Sequence, residues 1–219
     1  MKNLFKILAA SLVMISFTSA QAEMKYGISA SLTQISASGT ETEFGEKHSA
    51  KERNNVVIPS VFVEYAFSNG IAVGLDYIPM SADVSSEVRT RTDTETSVSG
   101  TEAQTDLSRK QTAQASLSDH FTLYSNFSLS DNWFIKGGLS HVSLNTDESL
   151  PTGAKYGNVD IMGYVMGLGF ETGPVRMELA YTDYEDISIK SSTTRTDVTD
   201  FNQIDADLDT LGLKLSYVF

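Results

Sequence analysis

The sequence has no cysteine, and this absence excludes a disulfide-stapled scaffold, a cysteine nucleophile and any thiolate metal site. Only three histidines occur among the 219 residues, so a metal centre built from several histidines is not expected. Positive charge is also scarce, since 16 Lys and Arg residues against 28 Asp and Glu residues give a formal net charge of −12. Nucleic acid is therefore excluded as a partner, because phosphate binding needs a basic surface.

The first 22 residues have the layout of a cleaved secretory signal peptide. Lys2 and Lys6 form a basic start, residues 7–17 are mostly apolar, and Ala20-Gln21-Ala22 is a small-x-small cleavage site. We expect export to leave a mature domain of residues 23–219. An N-terminal membrane anchor is the alternative, but about eleven apolar residues are too few to span a bilayer as a helix.

The rest of the chain has no long apolar run, and its hydrophobic residues instead recur with a period of two. In the first such segment, Tyr26, Ile28 and Leu32 alternate with small or polar residues, which is typical of a strand with two unlike faces. A soluble β-sandwich or lipocalin-like barrel would also alternate, but its outer face would be richly charged. Here the second face is small and weakly polar, as in an enclosed lumen. Eight alternating segments occur, at residues 26–33, 57–67, 71–77, 120–129, 133–140, 162–170, 175–182 and 210–219.

The connections between these segments alternate between short and long. Three are tight turns, near Asn69, Asp131 and Gly173, and four are long and polar, at residues 36–55, 79–112, 145–158 and 185–206. Short turns at one rim and long loops at the other are typical of outer-membrane barrels. The sequence therefore predicts an all-β fold, an eight-stranded antiparallel up-and-down transmembrane β-barrel with short periplasmic turns and long extracellular loops.

Six charged residues fall on the inward parity of these strands at similar heights above the turns. Three are acidic and three are basic, so they can pair across a lumen that eight strands leave almost filled by side chains. We predict a network of ion pairs that plugs the lumen and holds the shape of the barrel. A narrow gate formed by the same residues is the alternative interpretation. The six residues are Glu64, Asp76, Lys136, Arg176, Glu178 and Lys214.

The chain ends in an amphipathic strand that contains Gly212, Leu215 and Tyr217 and finishes with Phe219. This end resembles the insertion signal of outer-membrane barrels, and with the export signal it makes the chain similar to the eight-stranded family of the OmpA transmembrane-domain and opacity-protein type. The resemblance implies a monomer in the Gram-negative outer membrane without a cofactor. The chain departs from the larger relatives in one respect, because we expect no peptidoglycan-binding domain after Phe219. It also implies contacts with outer-membrane lipid and, during biogenesis, with periplasmic chaperones and the barrel-assembly machinery.

We predict a non-enzymatic surface barrel whose extracellular loops contact partners or lipid, because exposed loops on a rigid scaffold commonly carry binding. The extracellular ligand is not named by the sequence. The main alternative is a narrow, gated, porin-like conduit for small solutes or hydrophobic compounds.

Two further groups of residues are weaker candidates for a site. Asp205, Asp207 and Asp209 offer carboxylates that could bridge divalent cations to lipid head groups, although simple solvation explains them as well. His141 and Ser143, with Glu148 nearby, are similar to the His-x-Ser arrangement of the PagL lipid A deacylases, in which His activates Ser. This remote alternative rests on three common residues.

Overall fold

The computed structural model describes residues 23–43, 46–85, 89–94, 108–149, 155–192 and 203–219. The expected signal peptide, residues 1–22, lies outside the described residues and stays a prediction. Within these ranges, no helix has both the length and the apolar character needed to cross a membrane.

The described chain forms eleven β-strands that join into one sheet. The strands are β1 (Glu23–Glu43), β2 (Glu46–Ala66), β3 (Ile71–Ile78), β4 (Ala82–Asp83), β5 (Arg89–Thr94), β6 (Ser108–Ser128), β7 (Trp133–Ser149), β8 (Asn158–Thr172), β9 (Val175–Tyr184), β10 (Ile187–Lys190) and β11 (Gln203–Val218).

Eight of these strands form a closed antiparallel ring in the order β1-β2-β3-β6-β7-β8-β9-β11, and β11 pairs back onto β1. The short strands are continuations, because β4 and β5 pair with β6 beyond the end of β3, and β10 pairs with β11 beyond β9. The predicted eight-stranded up-and-down barrel is therefore confirmed.

The register of the ring sets the width of the barrel. Following the paired residues once around from Tyr26 leads back to β1 at Ser36, ten residues further along. A stagger of this size in an eight-stranded ring tilts the strands by roughly 35–45° and leaves an interior that side chains can fill.

An apolar belt surrounds the barrel on its outward face. Alternate residues of every ring strand expose large hydrophobic side chains there, among them Leu32, Val57, Tyr164 and Leu213. Near the tight turns the belt ends in aromatic contacts, with ring centroids 5.1 Å apart for Trp133 and Phe170. A chain folded in water alone would not leave such a continuous apolar surface uncovered.

The tight turns lie where the sequence predicts them, but the polar connection at residues 36–55 is more regular than expected. The interpretation of residues 36–55 as a loop was wrong, because this segment forms a hairpin that pairs from Ser36↔Arg53 to Glu43↔Glu46. Hydroxyl side chains support the pairing, for example between Thr40 and Ser49, whose oxygens are 2.9 Å apart. Parts of two other polar segments also continue as strands, β5 opposite residues 108–113 and β10 opposite residues 203–206.

The interior is divided into two layers. Towards the tight turns it is charged and aromatic, as described below. Above this, where the strands extend beyond the apolar belt, the inward residues form a hydrophobic cluster that we call the upper core. Its buried members are Ile35, Val84, Leu117, Val142, Leu144, Ile161, Tyr184, Ile187 and Leu208.

Candidate functional site in the barrel interior

All six inward charged residues singled out from the sequence lie in one layer of the lumen, which we call the charge layer. Its most complete contact joins β2 to β9, where the Arg176 guanidinium donates two hydrogen bonds of 2.9 Å to the Glu64 carboxylate. Both side chains are only 2–3 % exposed. A bidentate pair of this kind fixes the orientation of both partners as well as their distance.

The other four members form two further ion pairs across the lumen. The Lys136 ammonium on β7 donates to Glu178 on β9, and the Lys214 ammonium on β11 donates to Asp76 on β3. Asp76 also accepts a hydrogen bond of 3.4 Å from the hydroxyl of Ser60. The structure thus joins five of the eight ring strands through three pairs of opposite charge.

Two charged residues belong to this network although sequence reasoning missed them. Glu171, next to the turn between β8 and β9, accepts a hydrogen bond of 2.7 Å from the Arg176 Nε. On its other side Glu171 accepts a bond of 2.8 Å from the Lys25 ammonium. The sequence did contain a signal for both residues, because Lys25 and Glu171 lie on the inward parity of their strands. The extended network remains balanced, with four acids and four bases.

Neutral polar groups complete the surroundings of Glu64. Its Oε2 accepts hydrogen bonds from the Tyr124 hydroxyl at 3.1 Å and from the Asn126 amide at 2.7 Å. Both donors lie on the inward parity of β6. A buried carboxylate is costly unless its oxygens are satisfied, and these bonds together with Arg176 provide several partners.

Aromatic rings cover the cations of the charge layer. The Lys136 ammonium lies 4.0 Å from the centroid of the Tyr124 ring, and the Arg176 guanidinium lies 5.2 Å from Phe134. Glycines make room for these rings, since a Cβ added at Gly74 would lie 2.4 Å from Tyr124, and one at Gly169 would lie 2.1 Å from Phe134. The small residues of the inward face therefore accommodate the aromatic part of the plug.

A cavity of about 110 Å³ lies between the charge layer and the upper core. Its floor includes Lys136, Glu178 and Lys214, its upper wall includes Ile35 and Leu117, and hydroxyl groups line the region between them. Below this cavity, the ion pairs and rings fill the lumen. The arrangement suits a closed barrel with a small internal chamber.

The terminal strand closes the ring against β1. The backbone N–H of Phe219 donates to the carbonyl of Tyr26 at 2.8 Å, and their rings stack with centroids 5.6 Å apart. Leu215, Tyr217 and Phe219 face outward in the apolar belt. Gly212 faces inward, where an added Cβ would lie 2.9 Å from the Ser31 hydroxyl.

The three aspartates near the start of β11 point outward, in line with their parity, but they do not form one cluster. They lie opposite different residues of β1, with Asp205 opposite Thr40 and Asp209 opposite Ser36. Hydrogen bonds from Gln203 and Ser188 hold the pKa of the Asp205 carboxyl below its usual value. Within the described ranges no three His, Asp or Glu residues are arranged to hold a metal ion, so the cation bridge proposed for Asp207 and its neighbours lacks a preformed site.

The His-x-Ser segment lies at the upper edge of the apolar belt, and its arrangement differs from the expected one. The Ser143 hydroxyl donates to the Asp160 carboxylate at 2.6 Å, and His141 Nε2 lies 3.9 Å from the same oxygen. The carboxylate therefore stands between Ser and His, instead of His standing between the other two. Glu148 lies apart from this pair and accepts a bond from the backbone of Tyr156.

No family model and no curated protein matches this sequence. Among solved structures, the outer membrane protein OprG from Pseudomonas aeruginosa is similar, with 12 % identity, a TM-score of 0.53, and coverage of 91 % of this chain and 98 % of that one. The outer membrane protein AlkL, solved in DMPC lipid bilayers, has 14 % identity, a TM-score of 0.50, and coverage of 93 % and 94 %. Ail, the attachment invasion locus protein of Yersinia pestis, has 15 % identity, a TM-score of 0.43, and coverage of 90 % and 99 %. The similarity to OprG and AlkL shows that the chain has the fold of outer-membrane β-barrel proteins.

Proposed function

We propose that this chain is a non-enzymatic barrel of the Gram-negative outer membrane, with a structural and surface role and a lumen closed by the charge layer. The observation that carries the proposal is the set of three buried ion pairs across the lower lumen. The apolar belt on the outward face supports the membrane location, because lipid can cover it.

Closure follows from the energetics of these pairs. Moving either partner aside to open a path would leave its counterpart buried and uncompensated, at a cost of about 3–5 kcal/mol for each pair. Displacing Glu64 would break several hydrogen bonds at once, because this carboxylate accepts bonds from Arg176, Tyr124 and Asn126. A resting pore is therefore disfavoured.

Single-channel recording in planar bilayers tests the closed lumen. The full chain is expected to give no resolved conductance steps. A matched variant with both Glu64→Ala and Arg176→Ala removes the central ion pair of the charge layer. This variant should conduct ions. Regular, well-resolved steps from the full chain would replace this proposal with the gated conduit for small solutes.

The surface role rests on the polar strand extensions above the belt. The hairpin formed by residues 36–53 carries hydroxyl and charged side chains, and it stands where lipid head groups or extracellular partners would meet it. Amide hydrogen exchange can test lipid contact in bilayers with and without lipopolysaccharide. Slower exchange of this hairpin with lipopolysaccharide is expected, and identical rates would contradict contact with that leaflet.

The loops are expected to be separable from the barrel. A chain with residues 79–112 and 185–206 shortened to tight turns should still fold and insert, because the ladders that close the ring remain. Heat-modifiable migration in gels measures folding, and the same exchange comparison measures surface contact. Unchanged protection of the remaining hairpin in the shortened chain would exclude a role for these two segments.

Insertion is assigned to the terminal strand, with Phe219 as its decisive residue. The Phe219→Ser variant removes the ring that stacks on Tyr26 while it keeps the backbone bond of the last residue. We expect less assembled barrel and more periplasmic degradation. The control is Leu168→Ser, which changes an exposed belt residue on β8, away from the pairing of β11 with β1. Equal yields of assembled barrel from both variants would contradict the assignment.

A further inference from the structure

One stretch of the barrel wall lacks strand pairing on both of its sides. The ladder between β2 and β3 ends at the pair Val61↔Tyr77. Within the described residues, the next link above it on this side is the Asn54 amide, which donates to the Asp83 carbonyl at 2.8 Å. The wall between β2 and the chain that follows β3 is therefore not closed by a backbone ladder at this level.

Prolines account for the interruption. If the register continued beyond Val61↔Tyr77, Pro59 would lie opposite Pro79 two positions further on. Neither residue has a backbone N–H to donate, and a proline in an interior strand position removes a ladder bond. Only four prolines occur in the whole sequence, and two of them follow the end of this ladder, one on each side.

The other side of the same stretch is also open. The ladder between β3 and β6 ends at Ile78↔His120 and resumes only at Ala82↔Leu117. Between these points β6 contains Asp119 with a left-handed φ of 50°, where the register shifts. Residues 79–81, which we call the wall segment, thus have no ladder partner on either side.

The internal cavity lies directly behind the wall segment. Ile58, Ser60 and Ile78 line the cavity beside it, and Met80 of the segment lines the cavity as well. Met80 is at the same time 50 % exposed. One flexible side chain therefore borders the cavity and remains half exposed, at the level where the wall lacks ladder bonds.

The outer side of the wall segment faces the upper part of the apolar belt. Val57 and Tyr77 flank it and expose apolar side chains outward, by 70 % and 43 %. A molecule that reaches Met80 from this direction arrives from the lipid level and not from open water.

The lining of the cavity defines what it can hold. Its charged floor is already paired, so a net charge on the ligand would be uncompensated. Hydroxyl groups on the walls can exchange hydrogen bonds with a ligand hydroxyl, and the upper wall is apolar. An apolar cavity of about 150 Å³ holds benzene, so a cavity of 110 Å³ holds a short-chain alcohol as it stands and a phenol only when a lining side chain such as Met80 moves aside. The wall hydroxyls belong to Ser31, Thr33, Ser60, Thr122, Thr182 and Thr210.

We propose that the wall segment is a side port, through which a small neutral alcohol or phenol passes from the outer half of the membrane into the cavity and binds there. The chamber ends below at the charge layer, so this site needs no flow through the barrel. The proposal is therefore independent of the closed lumen.

The absence of cysteine in the chain allows a clean accessibility experiment. Thr182→Cys places one thiol on the cavity wall, and Thr210→Cys is a second reporter on the neighbouring strand. Each protein is reconstituted in nanodiscs and treated with neutral N-ethylmaleimide or with a charged methanethiosulfonate. Labelling is then repeated with Met80→Trp, with Met80→Ala, and with Leu168→Trp as a matched outward substitution on β8.

We expect both reporters to react with the neutral reagent and much less with the charged one. Met80→Trp should slow the neutral reaction roughly tenfold because the larger ring fills the port, Met80→Ala should accelerate it, and Leu168→Trp should leave it unchanged. Phenol should protect the thiols in a saturable way, whereas benzoate should not.

Equal rates for Met80→Trp and Leu168→Trp would overturn the port, and protection that does not saturate would overturn the site. Fluorine NMR of 4-fluorophenol with the cysteine-free chain gives an independent measurement if the reporters fold poorly. Exchange broadening that disappears in Met80→Trp is expected, and a signal identical to that in empty nanodiscs would contradict binding.

Discussion

The charge layer and the upper core are built by the same strands, yet they fill the interior with opposite chemistry. β7 contributes Lys136 to the charge layer and Val142 to the upper core, and β11 contributes Lys214 and Leu208 in the same way. The difference follows from what surrounds each level. Where the outward face meets lipid, burying an apolar side chain inside gains little, because the outside is equally apolar. Above the belt the outside is water, and the hydrophobic effect fills the interior as in a soluble barrel.

Breaking the most connected ion pair tests the charge layer with the largest expected effect. Arg176→Met leaves Glu64 buried and removes a partner of Glu171. We expect the free energy of unfolding to fall by about 3–5 kcal/mol. Urea titration in lipid vesicles, followed by heat-modifiable migration, measures the loss.

The exposed Arg53→Met on β2 is the control for this variant and should change the midpoint very little. The double variant with Glu64→Leu should recover part of the stability, because no uncompensated charge then remains. An unchanged urea midpoint for Arg176→Met would mean that the pair does not stabilise the barrel.

Truncation of a side chain in the upper core should lower the free energy of unfolding slightly less than Arg176→Met does. The loss comes from a cavity and not from an uncompensated charge. Leu208 is 3 % exposed, so Leu208→Ala creates a cavity and should lower the free energy of unfolding by about 2–4 kcal/mol. Leu211→Ala on the outward face of the same strand leaves no internal cavity and should cost less. Equal losses for the two variants, measured by urea titration, would show that the upper interior is not packed as a core.

The space reserved for aromatic rings can be tested with two glycines. A Cβ at Gly74 would lie 2.4 Å from the Tyr124 ring, whereas one at Gly137 meets nothing within 4 Å. Gly74→Ala should therefore destabilise the barrel by about 1–3 kcal/mol through overpacking, and Gly137→Ala should be neutral or slightly stabilising. A neutral Gly74→Ala in the same titration would mean that the Tyr124 ring moves aside freely.

Much of this architecture could be predicted from the alternation of residues such as Tyr26 and Gly27. Because side chains on a strand alternate strictly between two faces, the parity of Glu64 or Lys214 and its distance from a turn determine both its direction and its height. This is why the sequence alone predicts that the six lumen charges lie together. The cleaved signal peptide stays a prediction, because residues 1–22 lie outside the described chain.

The remaining features depend on pairing between strands, which a single sequence does not reveal. The polar composition of residues 36–55 suggested a loop. The segment instead forms a hairpin, in which cross-strand hydroxyl bonds such as Thr40–Ser49 support the pairing. The upper core was missed for the same reason, since Ile35 falls between the predicted strand at residues 26–33 and the predicted connection at residues 36–55, whereas β1 runs through it. The wall segment required the register, because only its continuation beyond Val61↔Tyr77 would bring Pro59 opposite Pro79.

The smallest effect is expected where a whole ion pair is replaced, and this variant sharpens the comparison between the two layers most. Lys136→Met with Glu178→Leu removes both charges together and leaves apolar side chains of similar volume in the lower lumen. Replacing a complete buried pair is often neutral, because the desolvation cost of two charges disappears with their attraction. We expect the free energy of unfolding to change by no more than about 1 kcal/mol, while Lys136→Met alone, which strands Glu178, should cost several times more. If the double variant were as unstable as the single one, the lower layer would depend on charge for its stability. If instead it matched the parent in stability but populated several folded forms in NMR spectra, the pairs would serve to define one arrangement of the strands, a task that shape alone performs in the upper core.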